Sequence, residues 1–171
     1  MKITYLIASA LYCVCLINSA HADDVAINIG GTIVDNTCIV SLQSQDVKLG
    51  NVAANQFQKA GDMSPVQPFT ISLEKCSSSV SNTTVTFSGN PDVTNPNLLA
   101  VDAGANTASG LGVAIYDKSQ TLLPLGQAST QYDLNGQSSA TLQFFARYMA
   151  TQSNVASGDA TATATFVVNY A

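Results

Sequence analysis

Residues 23–37 read DDVAINIGGTIVDNT, and the period of this stretch decides the fold. Val25, Ile27, Ile29 and Ile33 fall on odd positions, with Gly31 in the same phase. The even positions hold Ala26, Asn28, Gly30, Thr32 and Val34. A period of two gives an extended strand one apolar face. No turn signal within reach folds this strand back as a hairpin. It therefore either opens an ordinary sheet or is a strand in search of a groove.

Upstream, residues 1–22 read as a secretory leader. Lys2 supplies the positive start, Ile3 to Ile17 the apolar stretch, and Ala20-His21-Ala22 a small-x-small cleavage site. The apolar run is too short, and too soon followed by Asp23-Asp24, to serve as a membrane anchor. Cleavage after Ala22 leaves 149 of the 171 residues, enough for one domain with a proper core. No later stretch is apolar enough to span a bilayer as a helix, so the expectation is an exported chain with no membrane anchor.

Losing the leader simplifies the chemistry. The single histidine, His21, leaves with it, as do Cys13, Cys15 and Lys2. Five basic residues then face eleven acidic ones, a net charge of −6. A chain this poor in Lys and Arg carries no basic patch, which argues against a nucleic-acid partner. The two remaining cysteines, Cys38 and Cys76, most simply pair with each other in an oxidising compartment. Their bridge would close a loop of roughly 40 residues and contribute about 4 kcal/mol on a chain-entropy estimate.

Along the mature chain, helix signals are scarce and strand signals recur. The alternation of the opening stretch runs on through Cys38 to Val40. Val47, Leu49 and Val52 suggest a short strand, and Asn55 to Asp62 a single helical turn. Phe69, Ile71 and Leu73 share a face ahead of Cys76. Val85 and Phe87 alternate within Thr83–Ser88, and Leu111, Val113 and Ile115 mark another strand. Thr121–Leu125 and Gln131–Leu134 are shorter candidates. In Ala140–Met149 both phases are apolar, so both faces of that strand should be covered. A last strand spans Thr161–Tyr170 with Ala162, Ala164, Phe166, Val168 and Tyr170 in phase. Seven or eight short strands separated by turns, with one disulfide, read as an all-β sandwich of immunoglobulin type. The last strand ends beside Ala171 without Lys, Pro or a bulge to blunt it. At a sheet edge it would expose both ladder groups and apolar side chains; the alternative is an interior position.

Catalytic signals are missing. Without His21 there is no Ser–His or Cys–His pair, and no nucleophile elbow or phosphate-binding glycine loop occurs. The aspartates are scattered singly without calcium-loop spacing. No catalytic residue, cofactor or metal is expected.

Several strings then occur in order: the alternating extension with its in-phase glycine, Cys38, PFTISLEKC at 68–76 and NLLA at 97–100. ASGLGVAIYD at 108–117, FFARYMATQ at 144–152, Gly158 and the penultimate Tyr170 follow. Each is weak alone, but the ordered set resembles the chaperone–usher fimbrial subunits, most of all the minor, adaptor-like subunits of type 1 fimbriae. The resemblance implies an incomplete immunoglobulin-like sandwich that lacks its final strand. It divides the chain into a signal peptide (1–22), an N-terminal donor-strand extension (23–37) and a pilin domain (38–171). It further implies capture by a periplasmic chaperone, delivery to an outer-membrane usher, and linkage to neighbouring pilus subunits by donor-strand exchange on an extracellular fimbrium. Carried over residue by residue, Val25, Ile27, Ile29, Gly31 and Ile33 would be the donor residues, with the glycine permitting close approach. Phe166, Val168 and Tyr170 would line the acceptor edge that binds the chaperone. A minor subunit is expected. A major rod subunit shares the same pattern. An adhesin with its own receptor site would need a further domain, and a small secreted hydrolase has no base to support it.

Overall fold

The computed structural model describes residues 37–171. The leader and the positions of Val25, Ile27, Ile29, Gly31 and Ile33 lie outside the described residues. The described residues form eight strands: β1 Ile39–Val40, β2 Gln67–Glu74, β3 Asn82–Gly89, β4 Leu99–Ala100, β5 Leu111–Tyr116, β6 Tyr132–Asp133, β7 Ser139–Ala150 and β8 Ala164–Tyr170. They make two antiparallel sheets, one in the order β1-β2-β7-β5-β4 and one in the order β6-β3-β8. This is an all-β sandwich consistent with an immunoglobulin-like fold.

Alternation sets what each strand buries. Ile71 and Leu73 of β2, Leu142, Phe144 and Ala146 of β7, and Val113 and Ile115 of β5 cover the inner face of the larger sheet. Val85 and Phe87 of β3 answer from the smaller one. Phe144 is fully buried at the centre, with the rings of Phe69, Phe87 and Tyr132 at 5.6, 5.0 and 5.5 Å. Offset and edge-on rings at these separations add to their area burial. The second face of β7 is covered too, as its sequence implies. Phe145 and Met149 pack with the buried Leu98, Ala114 and Tyr116.

The disulfide is present between Cys38 and Cys76, with a Cα–Cα separation of 4.0 Å. Register explains it. Ile39 pairs with Glu74, so the cysteine before β1 and the one beyond β2 fall at the same end of the hairpinned pair. Lys75 sits in the left-handed region (φ 50°) and turns the chain to bring Cys76 in.

Several expected boundaries shift. Val47, Leu49 and Val52 do not form a strand, and their backbone makes no main-chain hydrogen bond to another described residue. Thr121–Leu125 contributes only a single bridge, Leu122 to Tyr116. The helical turn is a short 3-10 turn at Ala54–Gln56, followed by Asp62 accepting from the amides of Gln58 and Lys59. The last strand starts at Ala164, not Thr161, because the Thr161 carbonyl accepts from the Asp102 amide instead of joining the ladder. The short β4, whose two residues pair with Val113 and Gly112, carries too little alternation to be read as a strand from sequence.

Candidate functional site: an open seam between the sheets

Strand β8 hydrogen-bonds to β3 alone, in the register Thr83↔Tyr170, Val85↔Val168 and Phe87↔Phe166. Its other edge has no ladder partner among the described residues. Strand β1 is likewise bonded only to β2. These two edges belong to different sheets and face each other across a cleft of about 1100 Å³. Phe69, Ile71, Phe87, Val113, Ile115 and Ala146 form its floor. Of these Phe69 is half-buried and the others are buried, so the cleft runs directly over the core.

The period of β8 decides what it presents. Phe166, Val168 and Tyr170 are half-buried and turn toward the core, while Val167 between them is 58% exposed. The ring of Phe166 lies 6.2 Å from that of Phe87. The three residues singled out from the sequence are thus on one face of one strand; of them Phe166 lines the cleft, while Val168 and Tyr170 continue that face against the core beyond it. The other rim is Ile39, Val40 and residues 43–51. That rim segment is a feature the sequence reading missed. Its half-buried Val47 and Leu49 pack on the core, yet no main-chain hydrogen bond joins positions 42–52 to another described residue. The alternation of Val47 and Leu49 signals an extended segment, but whether a partner strand exists is not written in it.

Each end of the cleft is tied down. At the disulfide end, the Tyr170 hydroxyl donates to the Cys38 carbonyl at 3.2 Å. Ala171 also exchanges main-chain bonds with Ser81 and Asn82. Burial pushes the Tyr170 phenol above its ordinary ionisation range. At the other end, the Asp102 amide donates to Thr161 and the Thr163 hydroxyl donates to the Asp102 carboxylate at 3.3 Å. Nearby, Tyr148 donates to the Ala160 carbonyl at 2.7 Å, and burial raises its ionisation as well. Gly158 packs so close to the backbone of residues 106–108 that a Cβ would collide with it.

No group of three or more His, Cys, Asp or Glu side chains converges among the described residues. What the site offers is an apolar trough flanked by a strand edge without a ladder partner among the described residues. Such an arrangement accepts an extended segment, with ladder bonds along β8 and alternate side chains directed onto the floor.

The family model described as "Fimbrial protein" matches residues 27–171. The chain is 39% identical over 151 residues to the uncharacterized fimbrial-like protein YcbV of Escherichia coli K12, covering 87% of each. It is 36% identical over 155 residues to the probable major fimbrial subunit LpfA of Escherichia coli O157:H7, covering 89% of this chain and 86% of that one. It is 37% identical over 179 residues to a fimbrial subunit type 1 of Salmonella typhimurium, covering 98% and 96%. Among solved structures, an antigen and type I fimbria protein of Burkholderia pseudomallei superposes with a TM-score of 0.62 at 33% identity, over 81% of this chain and 91% of that one. A chain of a chaperone–usher pilus superposes with a TM-score of 0.62 at 20% identity, over 85% and 94%, a likeness of fold.

Proposed function

This chain belongs to the fimbrial protein family as a subunit of chaperone–usher fimbriae, and from that premise we propose that it is a structural link assembled by donor-strand exchange. The observation that carries this is the open seam, an apolar floor beside an unpaired β8 edge. A periplasmic chaperone lends a strand to the seam after export through the leader. At an outer-membrane usher, the extension of the next subunit replaces that strand. The stretch 23–37 of this chain fills a neighbour's seam in turn through Val25, Ile27, Ile29 and Ile33, with Gly31 at the closest approach. Phe166, Val168 and Tyr170 form the acceptor edge.

The energetics are sufficient. Each aliphatic side chain of an inserted strand removed from water contributes roughly 1.5–3 kcal/mol, and each ladder bond about 1 kcal/mol. Four such side chains and a handful of bonds outweigh the ordering cost of a short strand. Assembly of this kind runs on folding free energy, without a nucleotide.

Deleting Asp23–Val34 tests the reading. The shortened chain should still be captured by the chaperone and still accept a neighbour's strand, yet fail to enter another subunit. Intact assembly would refute the donor assignment. The position in the fimbrium that the resemblance suggests is minor, adaptor-like. The relatives named as a probable major subunit and as a type 1 subunit support the second reading, a repeating rod subunit. Chaperone-bound subunits mixed alone separate the two, since rapid growth into long polymers marks the rod and eliminates the adaptor.

A further inference from the structure

Three charged side chains line the cleft: Asp46, Lys48 and Asp102. Two of them answer each other, because the Lys48 ammonium lies 3.8 Å from the Asp46 carboxylate. Among the described residues no cation pairs with Asp102. Its carboxylate takes one hydrogen bond, from the Thr163 hydroxyl, and its main chain is fastened to Thr161. The charge therefore stands fixed at the end of the cleft where β8 begins.

The chain's own extension carries charge only at its two ends. Asp23 and Asp24 precede Val25, Asp35 follows Ile33 and Val34, and no Lys or Arg occurs between 23 and 37. If such a strand ran antiparallel to β8, its Asp35 end would arrive at Asp102. If it ran parallel, Asp23 and Asp24 would arrive there. In either direction a carboxylate meets a carboxylate.

We infer that the cleft is biased against this chain's own extension and selects the extension of a different subunit, one with a Lys or Arg at the end that reaches Asp102. This rests on the strand-accepting reading above and adds partner choice to it. The physical basis is ordinary: like charges at a forming contact slow encounter and opposite charges speed it, while the apolar floor accepts any strand of the right period. Asp102 is exposed, so the effect is modest and screened by salt, on the order of two- to fivefold in rate at low ionic strength.

The test uses the mature chain bound to its chaperone and synthetic peptides of residues 23–37. One peptide is native, one carries Asp23→Lys and Asp24→Lys, and one carries Asp35→Lys. Chaperone displacement is followed at about 20 mM and at about 500 mM salt, where screening runs from weak to nearly complete. The expected result is that one lysine peptide enters two- to fivefold faster than the native one at low salt. That advantage should shrink at high salt and vanish on Asp102→Asn, which itself should speed entry of the native peptide. Equal rates for all three peptides, with entry intact, would overturn the charge selection and leave the strand-accepting reading standing. Failure of every peptide to enter would overturn both.

Discussion

The hydroxyl of Tyr170 donates to the carbonyl oxygen of Cys38 at 3.2 Å, joining residues 132 positions apart. Tyr170 closes β8 in the smaller sheet, and Cys38 precedes β1 in the larger one. The bond therefore joins the two sheets at the disulfide end of the seam, where the bridge to Cys76 already anchors the β1 side.

Removing the hydroxyl while keeping the ring isolates this tie. Tyr170→Phe should cost about 0.5–1.5 kcal/mol, the usual net value of one such bond. Urea unfolding of the mature chain measures it. A loss no greater than experimental error would mean that the bond does not hold the edges together.

Reducing the Cys38–Cys76 bridge should cost more, about 4 kcal/mol for a loop of 38 residues. Comparing unfolding midpoints with and without reductant gives the difference. Thiol labelling of the unfolded, unreduced mature chain should find no free cysteine.

The edge assignment predicts a contrast between adjacent residues. Phe166→Asp puts a charge on the inward face beside Phe87, and chaperone capture and periplasmic yield should fall several-fold. Val167→Asp places the same charge on the exposed face and should leave both near wild type. Equal effects at the two positions would remove Phe166 from the acceptor edge.

Gly158→Ala should destabilise the domain by about 1–3 kcal/mol, the range for a forced overpacking. The added methyl would meet main-chain atoms of residues 106–108, which have no rotamer with which to yield. A shift in thermal midpoint at unchanged fold, read by circular dichroism, is the check.

Stability should also fall at high pH. Burial pushes the Tyr132 phenol up to about 12, against an ordinary value of 10.0, with the Asp117 carboxylate adding to the rise. The folded chain thus holds this proton more tightly than the unfolded one. Its contribution is complete below pH 10 and is lost as pH rises through about 12. Tyr148 and Tyr170 are raised by burial in the same direction. Denaturant midpoints from pH 9 to pH 12 should decline, and Tyr132→Phe should flatten part of that decline.

Much of this was legible in the chain because it depends on local pattern. Alternation located β2, β3, β5, β7 and β8 within a few residues, and it picked out the inward phase of Phe166, Val168 and Tyr170. Reading residues 1–22 as a leader left Cys38 and Cys76 as the cysteines to pair, and the structure bridges them. The periodicity of residues 23–37 assigns a face to each of its side chains by the same rule. What stayed hidden depends on who stands beside whom. Periodicity is identical in an interior and an edge strand, so only the tertiary arrangement shows that β8 pairs with β3 alone among the described residues. Val47 and Leu49 alternate like strand residues, yet with no ladder partner among the described residues they form part of the cleft rim. Asp102 looks like any loop aspartate in the sequence. The fold sets it beside Thr161 and Thr163, and contacts between residues some 60 positions apart leave no trace in local composition.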